Sequence, residues 1–143
     1  MSDTTQAPSK AWAWLGMRVV STAEGEAVVE MTTREDMANL SGFVHGGMIS
    51  TLADSAMGRS LRTLQPGVVR AMSFDLKLSF IAAAKIGETL KATGRVIHAG
   101  RRTMVTECRV VGGDGRLVAT ASGTFAVTRA AGASGIPEGR NAD

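Results

Sequence analysis

The sequence predicts a single α+β domain in which an antiparallel sheet of about six strands wraps around one long central helix. Three observations predict it. Apolar residues recur at helical spacing over one stretch, residues 45–64. Alternating spacing, which is typical of strands, occurs on both sides of that stretch, and a glycine-rich turn joins the last two alternating runs.

Two strands are predicted before the helix, at residues 16–22 and 26–33, with a turn at Glu24-Gly25. A loop over residues 35–44 leads into the helix. From His45 to Leu64 apolar residues recur every three or four positions, which predicts about five helical turns. The Pro66-Gly67 pair follows, and it ends the helix because proline cannot continue the hydrogen-bond ladder.

Four strands are predicted after the helix. Residues 73–80 alternate strictly between apolar and polar side chains, which predicts a half-buried strand. Weaker alternation predicts strands at 90–98, 102–111 and 117–128. The turn at residues 112–115 has the glycines of a hairpin, so we expect these last three strands to form an antiparallel meander.

The composition fits one domain without disulfides. Residues 1–10 are polar and residues 130–143 are rich in alanine and glycine, so both are predicted to be disordered around an ordered domain at 11–129. Cys108 is the only cysteine, and we expect it in a strand near the core. No export signal and no apolar run of roughly 20 residues is present, so we expect a cytoplasmic protein with no membrane partner.

The charge balance argues against nucleic acid as a partner. The net charge is +3, but the basic residues are scattered and aromatic residues make up 4% of the chain. A small positive charge also suits a small polyanionic ligand such as a nucleotide phosphate. His45 and His98 have no metal-ligand spacing, so no metal is predicted, and the motifs of serine hydrolases and phosphate-binding loops are absent from the sequence.

The residues with chemical potential lie at the start of the predicted helix. Gly46 and Gly47 fall where the first backbone N–H groups have no intrahelical partner, and where the helix dipole favours negative charge. Such amides can stabilise a carbonyl oxygen as it becomes an oxyanion. Asp54, eight residues further on, falls at the margin of the apolar arc. A partly desolvated carboxylate there is a candidate base or nucleophile, and a solvated flank residue is the alternative.

Asn39, the run His45-Gly46-Gly47, Leu52 and Asp54 together resemble the signature of hotdog-fold thioesterases of the phenylacetic-acid-degradation type, in the 4-hydroxybenzoyl-CoA thioesterase superfamily. The similarity covers about residues 15 to 128, and it includes the matching runs 73–80, 85–88, 100–102 and 117–120. It implies the hotdog fold and the hydrolysis of an acyl- or aroyl-CoA thioester without a cofactor, coenzyme A being part of the substrate. It also implies a homodimer with shared active sites, and pairing of such dimers into a homotetramer.

The same resemblance implies a role for each residue of the motif. Asp54 would activate a water molecule or attack the thioester carbonyl, and the Gly46 N–H would polarise that carbonyl. Asn39 and His45 would orient the water or hold the loop. Ser73 would approach the site from the neighbouring subunit.

Simpler structural roles stay open for several of these residues. His45 is also suited to cap the helix, and Ser73 to face solvent from a strand. Gly47 is predicted to bind substrate beside Gly46. Arg101 and Arg102 are predicted to contact the coenzyme A phosphates, with a solvated turn as the alternative.

One position departs from the family pattern. Some relatives carry a hydroxyl residue four places after the carboxylate, where this chain has Gly58. Ser73 or Ser55 would then have to position the water. Two other functions remain as alternatives: a non-catalytic acyl-CoA-binding module that keeps the scaffold, and an enoyl-thioester hydratase, whose local histidine and carboxylate pattern this sequence lacks.

Overall fold

The computed structural model describes residues 8–64 and 67–129 of the 143-residue chain. Within these ranges the elements follow in the order α1 (Lys10–Leu15), β1 (Arg18–Ala23), β2 (Glu26–Thr32), a 3-10 turn (Glu35–Met37), α2 (Gly46–Leu64), β3 (Val68–Phe80), β4 (Thr89–Ala99), β5 (Thr103–Val111) and β6 (Leu117–Arg129). The predicted elements are therefore present, although β3 begins five residues before its predicted start.

All six strands form one antiparallel sheet in the order β1-β2-β4-β5-β6-β3. Strands β4, β5 and β6 pair consecutively, which confirms the predicted meander. Helix α2 packs against the middle of the sheet, above all against β4 and β2. This arrangement confirms the predicted α+β fold class, a sheet wrapped around one long helix.

The buried face of α2 is the apolar stripe that the sequence predicts. Its fully or almost fully buried apolar residues are Ile49, Leu52, Ala53, Ala56, Met57 and Leu61. They belong to one core with side chains from the sheet, among them Met31, Leu90, Met104, Val110 and Val118. Burial of one such large side chain contributes about 1.5–3 kcal/mol to the stability of the fold. The stripe therefore holds α2 in place on the sheet, and with it the residues on the other face of the helix.

The backbones of α2 and β4 approach each other closely at Gly94. A Cβ added there would lie 2.7 Å from the Met57 nitrogen and closer still to the Ala56 carbonyl. Only glycine leaves room for such an approach. Gly94 therefore sets how deeply the helix sits in the sheet.

Strand β3 lies at one edge of the sheet, and its apolar residues are much more exposed than a half-buried strand allows. Met72, Phe74 and Phe80 are 62%, 64% and 55% exposed. The predicted strand is present, but a register shift between Ser73 and Asp75 interrupts its alternation, and the half-buried strand is wrong for a single chain. The reason is that β3 has a strand neighbour on one side only, and α2 lies over the middle strands.

The sequence does not predict helix α1, because six residues are too few for a helical period to show. Ser9 Oγ accepts the Trp12 N–H at 3.2 Å at its start, and Gly16, with a φ of 66°, ends it in the left-handed conformation. Residues 8–10 of the predicted disordered head thus include a helix cap and the first helical residue. The remaining residues of that head, 1–7, and the predicted tail, 130–143, lie outside the described residues.

Candidate active site

The loop before α2 is folded around Asn39. The Asn39 side-chain oxygen accepts the backbone N–H groups of Ser41, at 2.9 Å, and Phe43, at 3.1 Å. Ala38 and Val44 form an isolated antiparallel bridge that closes the loop. Of the two roles implied for Asn39, the structure shows the one in which it holds the loop.

His45 caps the start of α2. Its Nδ1 accepts the Gly47 N–H at 2.9 Å, as an N-cap side chain does. Since a backbone N–H can only donate, Nδ1 must accept, and the ring proton therefore lies on Nε2. The amide of Gly47 is thus already used, and the prediction that Gly47 presents a bare N–H to substrate is not met.

The Gly46 N–H is different from its neighbours. The Met48 N–H donates to the His45 carbonyl at 2.9 Å, whereas the Gly46 N–H has no acceptor among residues 8–64 and 67–129. A Cβ on Gly46 would lie 3.1 Å from Cζ of Phe80, whose ring packs over this position. Glycine therefore keeps the amide accessible beside an aromatic ring that the sequence analysis did not assign to the site.

Asp54 is half-buried on α2, at the margin of the apolar stripe where the sequence predicts it. Its Oδ1 is fully buried and has no hydrogen-bond partner in the part of the chain that the structure describes. A buried carboxylate oxygen without a hydrogen-bond partner destabilises the folded protein, so the presence of aspartate at this position needs an explanation. One explanation is that the carboxylate is functional and gains its partner only when substrate or water binds.

A cavity of about 810 Å³ lies against this face of α2. The helix contributes Asp54, Ser55 and Gly58 to its wall, and β3 and β6 contribute Ser73 and Phe125. Both serines considered for positioning a water molecule therefore line the same cavity as the carboxylate.

Ser73 lies directly opposite Phe125 in the pairing of β3 with β6. Residues opposite each other in an antiparallel pair point to the same face of the sheet, and Phe125 is buried on the face toward α2. Ser73 thus reaches the cavity of its own chain. This placement differs from the expectation that Ser73 approaches the site from the neighbouring subunit.

Gly46 and Asp54 of one chain are too far apart to act together. Eight residues of α-helix, at about 1.5 Å each, separate them by about 12 Å along the axis. One thioester carbonyl cannot contact both groups at that distance. A site that uses both needs the Gly46 amide of a second chain.

Arg101 and Arg102 lie in the turn between β4 and β5 and are not part of the cavity wall. The Arg102 carbonyl accepts the Val127 N–H at 2.9 Å, which ties the turn to the end of β6. Arg70, near the start of β3, and Arg129, at the end of β6, belong to the same end of the sheet. Four arginines therefore cluster there.

Glu88 braces the loops that lead to the site. Its carboxylate accepts the Lys85 N–H at 2.6 Å, the Gly113 N–H at 2.9 Å and Arg116 Nη2 at 2.8 Å. Burial by itself raises the pKa of Glu88, but the bonds from Arg116 and from the two amides outweigh it, so the pKa lies below its ordinary value. The carbonyl of the residue before Lys85 accepts the Val44 N–H, which links this network to the start of α2.

Cys108 is 2% exposed on β5, which confirms its predicted place in the core. Burial raises the pKa of its thiol to about 12. A thiol with that pKa is almost wholly protonated at neutral pH, and the thiolate is the nucleophilic form.

Residues 8–64 and 67–129 contain neither a candidate metal-binding cluster nor a candidate membrane-spanning helix. No group of three or more histidine, cysteine or acidic residues there is arranged to hold a metal ion. No helix in the same ranges has both the length and the apolar character needed to cross a bilayer.

Sequence reasoning could have found one of the residues that it missed. An isolated glycine inside a strand pattern, such as Gly94, often marks a close backbone approach. Phe80 and Phe125 give no comparable signal, because their places beside Gly46 and Gly58 depend on how the strands pair.

The chain matches the model of the thioesterase superfamily over residues 41–119. It is 32% identical to the acyl-coenzyme A thioesterase PaaI of Escherichia coli K12 over 105 residues, which cover 73% of each protein. The structure of the E. coli PaaI protein, from the phenylacetic acid degradation operon, matches with a TM-score of 0.77 at 30% identity, over 82% of this chain and 83% of that one.

A second solved structure adds a bound ligand. The smu.793 protein of Streptococcus mutans, solved with acetyl-CoA, matches with a TM-score of 0.73 at 31% identity. The match covers 79% of this chain and 89% of the S. mutans chain.

Proposed function

This chain belongs to the thioesterase superfamily, and we propose that it hydrolyses acyl-coenzyme A thioesters to the free acid and coenzyme A. Its family confirms the predicted resemblance and the predicted enzyme class, a thioester hydrolase. The names of its relatives support acyl-CoA as the substrate, since PaaI is an acyl-CoA thioesterase and the S. mutans protein binds acetyl-CoA. The cytoplasmic location remains a prediction.

The observation that carries the proposal is the unpartnered, buried Oδ1 of Asp54 beside a cavity of about 810 Å³. One oxygen of this carboxylate has lost water without gaining a partner, and the group lines the cavity, where it can act on a molecule that enters. Ser55 and Ser73 line the same cavity and supply hydroxyl groups that can orient a water molecule.

Asp54 acts by one of two routes. In the first, its oxygen attacks the thioester carbon, the C–S bond breaks, coenzyme A leaves as the thiolate, and water then hydrolyses the mixed anhydride. In the second, Asp54 takes a proton from a water molecule whose oxygen forms the new bond to carbon, and the C–S bond then breaks and releases the thiolate of coenzyme A. In both, an amide hydrogen stabilises the oxyanion, the thiolate is a good leaving group, and no cofactor is needed.

The amide comes from Gly46 of a second copy of the chain. The separation of about 12 Å along α2 rules out the Gly46 amide of the same chain. The exposed edge strand β3, with Phe74 64% exposed, gives a second copy a surface on which to pair. We therefore propose a homodimer with two sites, each made of Asp54 and Ser73 from one chain and Asn39, His45 and Gly46 from the other. Assembly into a tetramer stays a prediction.

The arginine cluster at the end of the sheet suits the phosphates of coenzyme A. Arg101 and Arg102 in the β4–β5 turn, with Arg70 and Arg129 beside them, supply guanidinium groups that bind phosphate by charge-assisted hydrogen bonds. The pantetheine arm would then link this end of the sheet to the thioester at Asp54.

The first test replaces Asp54 by asparagine, which keeps the shape and removes the charge. Release of free thiol from short, medium, long and aromatic acyl-CoAs should be readily measured for the wild type, and kcat should fall by about a hundredfold or more in Asp54→Asn. Asp36→Asn, on an exposed carboxylate, is the matched control and should keep wild-type rates. Full activity of Asp54→Asn would refute the mechanism, and tight binding of acyl-CoA without turnover would favour the non-catalytic module.

Single-turnover hydrolysis in water enriched with heavy oxygen separates the two routes. Label that enters Asp54 supports direct attack, because hydrolysis of the anhydride can return a solvent oxygen to the carboxylate. Label that enters only the product acid arises from water activation and equally from attack of water on the acyl carbon of the anhydride, so it is labelling of Asp54 that decides for direct attack.

The shared site is tested by mixing two inactive chains. Gly46→Pro deletes the amide hydrogen, and Asp54→Asn deletes the carboxylate. When the two variants are co-expressed with different tags, the purified heterodimer has one intact site if the site is shared, and should regain about half of the wild-type activity. An inactive heterodimer would show that each chain forms its own site.

A further inference from the structure

The loop between β3 and β4, residues 81–88, supports the start of α2. These residues belong to no helix or strand. Ala84 in the loop is 1% exposed, and its carbonyl accepts the Val44 N–H at 2.9 Å. Val44 lies two residues before Gly46, the first residue of α2. The groups that hold Ala84 in place therefore also help to fix the position of the Gly46 amide.

Glu88 and Arg116 hold the residues on both sides of Ala84. The Glu88 carboxylate accepts the Lys85 N–H at 2.6 Å. Arg116 Nη2 donates to the Ala83 carbonyl at 2.8 Å. The same Nη2 donates to the Glu88 carboxylate at 2.8 Å, so the two half-buried side chains form one unit. A single ion pair, the Glu88–Arg116 pair, thus holds the backbone before and after Ala84.

The Glu88–Arg116 pair is better suited to fix a position than to add stability. A half-buried ion pair contributes little net stability, because the desolvation of its charges offsets much of their attraction. Glu88 also accepts the backbone amides of Lys85 and Gly113, and a polar network that is satisfied in this way makes the backbone around it rigid. A rigid support matters for an oxyanion donor, since a displacement of about 1 Å can lower the rate by about a hundredfold.

We propose that Glu88 and Arg116 position the Gly46 amide for its role as oxyanion donor. They are positioning residues that act through Ala84, and both lie outside the cavity wall. This inference rests on the proposed thioesterase function and on its shared site. Because Gly46 of one chain serves Asp54 of the other, Glu88 affects the site to which its own chain gives the amide. It has no effect on the site to which its chain gives the carboxylate.

Glu88→Gln is the first test, because it keeps the shape of the side chain and places an NH2 group against one of the donors that Glu88 binds. We expect kcat to fall by about tenfold or more with little change in KM, since the oxyanion forms only in the transition state. Asp114→Asn is the matched control. Asp114 is exposed and accepts Nη1 of Arg116 instead of Nη2, so this variant should keep the wild-type kcat.

A second pair of variants disturbs the Glu88–Arg116 pair without changing a charge. A Cβ on Gly112 would lie 2.8 Å from Arg116 Nη1 and closer still to Glu88 Oε1, so Gly112→Ala must push both side chains aside. A Cβ on Gly113 meets nothing closer than 4.0 Å, which makes Gly113→Ala the control. We expect Gly112→Ala to lower kcat and Gly113→Ala to keep it. A wild-type kcat in Gly112→Ala would count against the proposal.

The sharpest test uses the heterodimer of a Gly46→Pro chain and an Asp54→Asn chain. Its one intact site takes the carboxylate from the first chain and the amide from the second. Glu88→Gln in the Asp54→Asn chain should lower the rate by about tenfold or more, because that chain supplies the amide. Glu88→Gln in the Gly46→Pro chain should leave the rate of the parent heterodimer unchanged. Both proteins carry the same three substitutions, so a general loss of stability would lower both rates alike.

The outcomes separate the positioning role from the function on which it rests. Equal rates for the two arrangements would overturn the positioning role and leave the thioesterase standing. In homodimers that carry Gly46→Pro, adding Glu88→Gln should change kcat little, because the amide is already lost, and a further tenfold fall would also overturn it. A wild-type protein that hydrolyses no acyl-CoA would refute the proposed function and the positioning role together.

Discussion

Replacement of Gly94 by alanine should lower the stability of the protein more than the other glycine-to-alanine substitutions discussed for it. The added Cβ would lie 2.7 Å from the Met57 nitrogen and still closer to the Ala56 carbonyl. Both obstacles are backbone atoms of α2, which cannot rotate away as a side chain can. The helix must therefore move off β4, or the strand must bend.

The magnitude follows from the packing of that contact. Overpacking a core typically costs about 1–3 kcal/mol, and a backbone obstacle puts Gly94→Ala at the upper end. The better intrinsic preference of alanine in a strand offsets about 0.5–1 kcal/mol. A net loss of about 2 kcal/mol lowers Tm by roughly 4–8 °C in a chain of this length.

The substitution should also lower activity, because Asp54 lies only two residues before Ala56 on the helix that is displaced. A shift of about 1 Å in a catalytic group can reduce the rate by about a hundredfold. Thermal unfolding followed by circular dichroism, together with thiol-release kinetics, measures both effects. Gly113→Ala is the control. A Gly94→Ala protein with wild-type Tm and rate would refute the idea that this contact places the helix.

Two further predictions concern titratable groups. The pKa of Glu88 is lowered in the folded protein, so the stabilisation from the ionised carboxylate is complete above the ordinary pKa and is lost as the pH falls through the lowered value. Glu88→Gln should therefore flatten the acid side of a plot of Tm against pH. An unchanged slope would contradict this. The Cys108 thiol, with a pKa of about 12, should not react with a disulfide reagent at pH about 8 until the protein is unfolded, whereas rapid labelling of the native protein would show that the side chain is accessible.

The sequence alone predicts the parts of the fold that depend on local pattern. The helical period over residues 45–64 gives α2 within one residue at its start, because its apolar stripe is both long and regular. The turn at residues 112–115 gives the β5–β6 hairpin, because glycine and aspartate suit its backbone conformations. The position of Asp54 at the margin of the apolar stripe is also predicted from the pattern, whereas its proposed catalytic role comes from the resemblance to the family.

Features that depend on tertiary neighbours are not predicted. Alternation shows that Phe74 and Phe80 belong to a strand, but it cannot show that the strand lies at an edge and lacks cover. The backbone contact at Gly94 depends on which strand faces the middle of α2. The place of Ser73 beside Asp54 of its own chain is not predicted either, because the pairing of Ser73 with Phe125 follows from the register of β3 and β6, which no local pattern fixes.

The role of the Gly46 amide can be tested with two substitutions, of which only one removes the hydrogen-bond donor. Gly46 is the first residue of α2, a position where proline is favoured because its fixed φ suits the helix start and its missing N–H has no helical acceptor. Gly46→Pro therefore removes the proposed oxyanion donor and leaves the helix intact. Gly46→Ala keeps that donor and adds the same Cβ, 3.1 Å from the Phe80 ring.

The two variants share the Cβ beside Phe80, and the further carbons of the proline ring occupy the place of the amide hydrogen, so the difference between them reports chiefly the loss of that hydrogen. Loss of one oxyanion donor lowers kcat by about a hundredfold to a thousandfold, and we expect Gly46→Pro to lie that far below Gly46→Ala, with little difference in KM. Both should melt near the wild-type temperature once the ring of Phe80, which is exposed, has turned aside. Equal kcat values for the two variants would show that the Gly46 amide takes no part in the reaction. The carbonyl would then have to be polarised by another donor near the start of α2, and the Nε2–H of His45 is the first to test, because its Nδ1 is already bonded to the Gly47 amide.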